Sequence, residues 1–136
     1  MSPNPYANQY RQTAVNSAVL DASPHRLIAL MLAGVRERAR LAIACMQRRD
    51  IARKVQAIDE ACTIIDGLNG ALDMQAGGDI AQNLSGIYEY AQQRLMLGNA
   101  TNDPAPLHEI DVLLGEIETA WNAIDPATVA ATGAAA

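Results

Sequence analysis

Apolar residues recur along this chain at intervals of three and four, and polar, proline- and glycine-bearing punctuation divides that pattern into four blocks. The first block opens at Ser23-Pro24. There a hydroxyl can cap a helix, and proline occupies the first helical position, where its missing N–H costs nothing. The spacing predicts a helix from there to about Gln47, with Leu27, Met31, Val35, Ala42 and Met46 roughly along one stripe. Ile28, Leu30 and Leu32 make its first two turns apolar nearly all round, so one face can enter a core while the other needs a second cover.

Asp50 can cap a second helix, in which Ile51, Val55, Ile58, Cys62, Ile65 and Leu72 form a heptad-like seam interrupted by Asn69. Ile64 and Leu68 widen that seam beyond what one neighbour would cover. Gly77-Gly78 predicts a break, after which Asp79 caps a third helix with Ile80, Leu84, Ile87, Ala91 and Leu95 as its buried stripe. The stretch GNATNDPAP ends it, and Asp103-Pro104 starts a fourth helix. Leu107, Ile110, Leu114, Ile117, Trp121 and Ile124 recur along it until Asp125-Pro126 stops it. Trp121, on that stripe, is expected to be a core residue.

Four segments of 20 to 24 residues, each roughly 30–36 Å long at 1.5 Å per residue, joined by short connections, make neighbours antiparallel. The predicted fold is all-α, an antiparallel up-and-down four-helix bundle over residues 23–125. A short mobile N-terminal segment, 1–22, precedes it, and a low-complexity, disordered tail, 126–136, follows.

Charge adds an asymmetry. Residues 1–54 carry nine basic against three acidic side chains, whereas residues 55–136 carry Arg94 alone against twelve acids. A net charge of −5 argues against nucleic acid as a partner, because such binders set a basic face over a neutral or basic whole. The longest strongly apolar run, Leu27–Val35, is far short of the ~20 residues a membrane-spanning helix needs. No signal peptide pattern is present. Cys45 and Cys62 sit inside apolar helical patterns, as reduced thiols of a cytosolic protein do.

Catalytic and metal chemistry find no support in the spacing. The two histidines, His25 and His108, both fall in first helical turns, and neither has a Glu three residues before it, as a di-metal bundle requires. A phosphotransfer bundle would place an exposed histidine midway along a helix, so both are read as solvated surface residues. No Ser or Cys has a histidine and an orienting acid in a recognisable arrangement, and Gly77-Gly78 is not a phosphate loop. The expected sites are therefore none for catalysis, none for metal and none for a cofactor. What remains is surplus apolar surface, and a groove between helices is the usual dock for an amphipathic partner helix. Candidate groove residues are Leu27, Ile28, Leu30, Ile64, Leu68, Ile87, Tyr88 and Leu95. Periodicity alone leaves a well-filled, alanine-rich core equally open. A histidine phosphotransfer-type bundle and a purely structural helical dimer remain the alternative functions.

Five stretches in order, NPYANQY, ASPHRLIALML, KVQAIDEACTIIDGLNGALD, GGDIAQNLSGIYEYAQQRLMLGNA and LHEIDVLLGEIETAW, resemble the flagellar secretion chaperone FliS family. The resemblance runs from about Tyr6 to Trp121, and the Gly-Gly-acid-Ile-Ala…Ile-Tyr-x-Tyr…Arg-Leu stretch and the closing Ala-Trp are its most specific parts. One departure stands out. The family usually has Tyr-Asp-Gly where this chain has Ala33-Gly34-Val35. The resemblance implies a cytosolic four-helix-bundle chaperone that clamps the disordered C-terminal segment of flagellin, one-to-one, in helical form. Such a chaperone prevents premature polymerisation and hands its client to the gate of the flagellar type III export apparatus. It implies no cofactor or nucleotide and no membrane insertion.

The N-terminal run SPNPYANQYRQTAV holds two of the four tyrosines, Tyr6 and Tyr10, in a segment too polar for a core. Coiled into a turn or two of helix, they would share one face. The segment is expected to rest over part of the groove as a lid, its rings covering apolar surface while the hydroxyls stay wet. Once displaced by client, both tyrosines would be free for a second contact, with the export gate. The alternative is a disordered N-terminus that touches nothing.

Overall fold

The computed structural model describes residues 23–124, which form four helices: α1 (Pro24–Gln47), α2 (Ile51–Gly70), α3 (Met74–Thr101) and α4 (Ala105–Asn122). Each packs against its chain neighbours, and α1 closes the ring against α4. Cross-links fix the antiparallel sense. The start of α1 meets the end of α4 through His25 and Trp121, and the start of α2 meets the end of α3 through Lys54 and Asn99. The up-and-down bundle expected from the spacing is the fold observed.

The punctuation works as its chemistry dictates. Ser23 Oγ accepts the Arg26 N–H at 3.1 Å, and Asp50 Oδ1 accepts that of Arg53 at 3.2 Å. Asp103 Oδ1 accepts the Ala105 N–H at 2.9 Å. Two helices end on left-handed residues, Arg49 (φ 59°) after α1 and Asn102 (φ 51°) after α3. In both, the next residue's N–H returns to a carbonyl of the last turn: Asp50 to Cys45 and Asp103 to Gly98. Those bonds satisfy carbonyls that a helix end leaves open.

One expectation is extended and another is corrected in part. The break expected at Gly77-Gly78 is present and helical backbone resumes at Asp79, but the helix does not start there. A turn capped by Asp73, whose Oδ1 accepts the N–H groups of Gln75 and Ala76, precedes it, and the helix passes through a kink at Gly78 (φ 51°, ψ −125°). Glycine tolerates that backbone, so a short helical turn and the longer helix meet there without a strained residue. The buried stripes of α2 and α3 keep Ile58, Ile65, Ala91 and Leu95 as expected but depart from the expectation toward the start of each helix. Ala57, Ala61 and Ala81 are buried, whereas Ile51, Val55 and Ile80 are exposed, Ile80 to 52%. Helices that meet on alanine come closer and turn their larger neighbours outward to the flanks.

The core is built from Leu32 and Val35 of α1, Ile58 and Ile65 of α2, Leu95 of α3, and Leu107, Ile110 and Leu114 of α4. Val35 of the departing Ala33-Gly34-Val35 triplet is part of it, and a Cβ at Gly34 would stand 3.3 Å from Ile64 Cδ1. Here α1 and α2 approach through the missing side chain. The charge asymmetry resolves into pairing between helices. Arg36 Nε and Nη1 reach Asp111 and Glu118 of α4 at 2.8 and 2.7 Å, and Arg40 adds a second contact to Asp111 at 3.0 Å. Burial alone would raise the Asp111 pKa, but hydrogen bonds and charge from Arg36 and Arg40 outweigh it and hold that carboxyl below its ordinary range.

Candidate functional site

In an up-and-down bundle the start of α1, the end of α2, the start of α3 and the end of α4 share one end. At that end the helices leave a cavity of about 270 Å³. Ile28 and Leu32 of α1 and Leu68 of α2 form part of its wall, continued by Ala71 and Leu72 of the connection. Ile80, Leu84 and Tyr88 of α3 face Ile117, Ala120 and Trp121 of α4, with Ile124 beyond. Among the described residues, no charged side chain lines it. Burial pushes the Tyr88 phenol up to about 12, so its hydroxyl is neutral at any physiological pH. Such a surface offers area for an apolar partner and no group for acid–base or nucleophilic work.

Trp121 frames the mouth. It is 6% exposed and joins the core, as expected. Its indole Nε1–H donates to the His25 carbonyl at 2.9 Å, while His25 Nε2–H donates to the Trp121 carbonyl, also at 2.9 Å. The two rings stack with centroids 5.0 Å apart and planes 13° from parallel. His25 is therefore not the solvated surface residue expected from its place in a first turn. It fastens α1 to α4. His108 is exposed, as expected.

Of the candidate groove residues, Ile28, Leu68 and Tyr88 line this cavity. Leu27, Leu30 and Ile87 are half-buried outside it. Ile64 borders a shallower groove with Arg38, Val55 and Glu60, and Leu95 is fully buried in the core. Tyr6 and Tyr10 lie outside the described residues. Reasoning along each helix alone missed Leu32, Leu72, Leu84, Ile117 and Ile124. The signal was in the topology, since all of them sit within about two turns of punctuation that an up-and-down bundle gathers at one end.

The family model described as flagellar protein FliS matches residues 6–128. The chain belongs to the FliS family. Among its relatives, the flagellar secretion chaperone FliSB of Pseudomonas aeruginosa is 42% identical over 116 residues, covering 85% of this chain and 92% of that protein. The flagellar secretion chaperone FliS of Salmonella typhimurium is 40% identical over 118 residues, covering 86% and 87% respectively. That of Bacillus subtilis is 29% identical over 118 residues. FliS is a chaperone family, and this chain is a flagellar export chaperone rather than an enzyme. Its most FliS-like stretch does local physical work here. Gly78 supplies the α3 kink, and Ile80, Leu84 and Tyr88 supply one cavity wall. Tyr90 and Arg94 reach across to Glu109, the arginine at 2.6 Å. Ala120 and Trp121 supply the opposite wall. Among the described residues no helix is long and apolar enough to cross a membrane.

Proposed function

We propose that this protein holds the C-terminal segment of flagellin in the bacterial cytosol, one client per chaperone, and delivers it unpolymerised to the flagellar type III export gate. The observation that carries this reading is the uncharged apolar cavity at one end of a FliS bundle. A disordered client that becomes helical loses conformational entropy, and burial of an apolar strip must offset that loss. The cavity supplies a deep anchoring point for such a strip, and the half-buried Leu27, Leu30, Ile64 and Ile87 can extend it over the bundle surface. No cofactor enters the mechanism. The segment before Ser23 joins the bundle two residues from His25, at the cavity's own end. That position supports the proposal that Tyr6 and Tyr10 cover the cavity until client displaces them.

The test is calorimetric titration of a flagellin C-terminal peptide into the full chain, with helicity followed by circular dichroism. Binding with a helical gain and a negative heat-capacity change is expected. No binding at tens of micromolar by a folded bundle sinks the reading. Deleting residues 1–20 should leave affinity equal or tighter while export falls. Much weaker binding would instead make the segment part of the client site.

A further inference from the structure

The walls of the end cavity are not held alike. On one side, two reciprocal hydrogen bonds of 2.9 Å and a ring stack fasten α1 to α4 through His25 and Trp121. On the other side the wall is Leu72 and, beyond Gly78, Ile80 and Leu84, with the turn Met74–Gly77 between these lining residues. There Asp73 caps the turn Met74–Gly77, with two solvent-exposed carboxylate bonds and one backbone bond from the Gly77 N–H. Met74, Gln75 and Ala76 are exposed, and Gly77 alone of the turn is buried. Few buried contacts and exposed hydrogen bonds are the marks of a segment that opens at low free energy. α3 also packs less closely on its neighbours than α1 does on its own.

Directly after this turn, Gly78 adopts φ 51°, ψ −125°, a backbone L side chains rarely enter. A Cβ there would meet nothing within 4 Å, so packing does not demand the glycine; the backbone does. A weakly held turn on a glycine swivel, beside a cavity whose opposite side is clasped, has the anatomy of a hinge. We propose that the cavity opens on the α3 side only, the Met74–Gly77 turn swinging about Gly78 as a flap while the His25–Trp121 clasp keeps the α1–α4 side shut. The flap works in the same way whatever enters, so the proposal stands apart from the identity of the client.

Two measurements on the full chain test it. Amide hydrogen exchange should find Gln75, Ala76 and Gly77 exchanging at least tenfold faster than Trp121 and Asn122 at the clasp. Equal or slower exchange in the turn overturns the flap. Stopped-flow association of the apolar dye 1-anilinonaphthalene-8-sulfonate then reports entry. Gly78→Ala favours helical backbone and merges turn and helix into one rod, so dye association should slow at least threefold. Adding His25→Ala should restore fast entry by unlatching the other side. Trp121 is the chain's single tryptophan, and its acrylamide quenching should not change in Gly78→Ala. Unchanged or faster dye entry into a folded Gly78→Ala protein overturns the proposal, and the exchange experiment decides on the native chain if that variant does not fold.

Discussion

The two ends of this bundle are built on opposite terms. At one end α1 turns into α2 and α3 into α4, each through a left-handed residue and a returning hydrogen bond. Lys54, 3% exposed, seals the middle, its Nζ donating to the Asn99 carbonyl and to Asn102 Oδ1, both at 3.1 Å. A cation against the last carbonyls of α3 also complements that helix's dipole. Leu107 packs so tightly on Gly98 that a Cβ there would fall 2.3 Å from its Cδ1. The opposite end has a single connection, residues 71–73, a kinked helix start and the apolar cavity. The sealed end is tied across both connections, whereas the open end is clasped on its α1–α4 side and leaves unfilled apolar surface beside the clasp. A chaperone needs both, since a groove that collapsed to fill itself could hold no client.

The largest test of that contrast is Trp121→Ala. Although it lies at the open end, Trp121 belongs to the core and carries half the clasp, so its loss should cost about 3–5 kcal/mol in urea denaturation. Flagellin-peptide binding should weaken as well. Weakened binding with an unchanged unfolding midpoint would make Trp121 an interface residue alone.

Gly98→Ala probes the sealed end. The new methyl would meet Leu107 Cδ1 at 2.3 Å and the Asp103 carbonyl oxygen at 2.9 Å, and backbone yields poorly. Overpacking of this kind costs about 1–3 kcal/mol. Peptide affinity should stay within twofold of wild type, because the cavity is at the other end. An affinity change as large as the stability change would show that the two ends act as one unit.

Much of this arrangement was legible in the sequence. Ser23-Pro24, Asp50 and Asp103-Pro104 marked helix starts that the hydrogen bonds reproduce. Trp121 was rightly placed in the core. The buried faces of α2 and α3 were less legible, because the large residues Ile51, Val55 and Ile80 signal burial more loudly than the alanines on which the helices meet. His25 was misread because nothing along the chain announces a partner 96 residues away. The cavity has no motif of its own. It exists where four helix ends converge, and only the topology makes them neighbours.

The seam shared by both ends is the charged contact of α1 with α4. Arg36 and Arg40 hold the Asp111 carboxyl below its ordinary range, so that group stabilises the fold when ionised. Its contribution is complete above the ordinary carboxylate pKa of ~4 and is lost as pH falls through the lower folded value. Asp111→Asn should therefore cost ~1–2 kcal/mol at pH 7. The difference from wild type should shrink as pH falls below the ordinary carboxylate range. Unfolding midpoints measured from pH 7 down to pH 2 check this. A difference that did not shrink over that range would assign the loss to packing rather than charge.

The smallest effect expected has the opposite sign. Gly70 closes α2 at the open end, and a Cβ there would meet nothing within 4 Å. It is exposed, and its φ is not positive. Alanine therefore fits the native backbone without strain and gives the unfolded chain fewer states to lose. Such changes stabilise by about 0.4–1 kcal/mol. Gly70→Ala and Gly98→Ala are the same chemical change at the two ends, and they should move the unfolding midpoint in opposite directions. If Gly70→Ala destabilised by as much as Gly98→Ala, the open end would be as closely packed as the sealed one, and the cavity would not be free space that a client can fill.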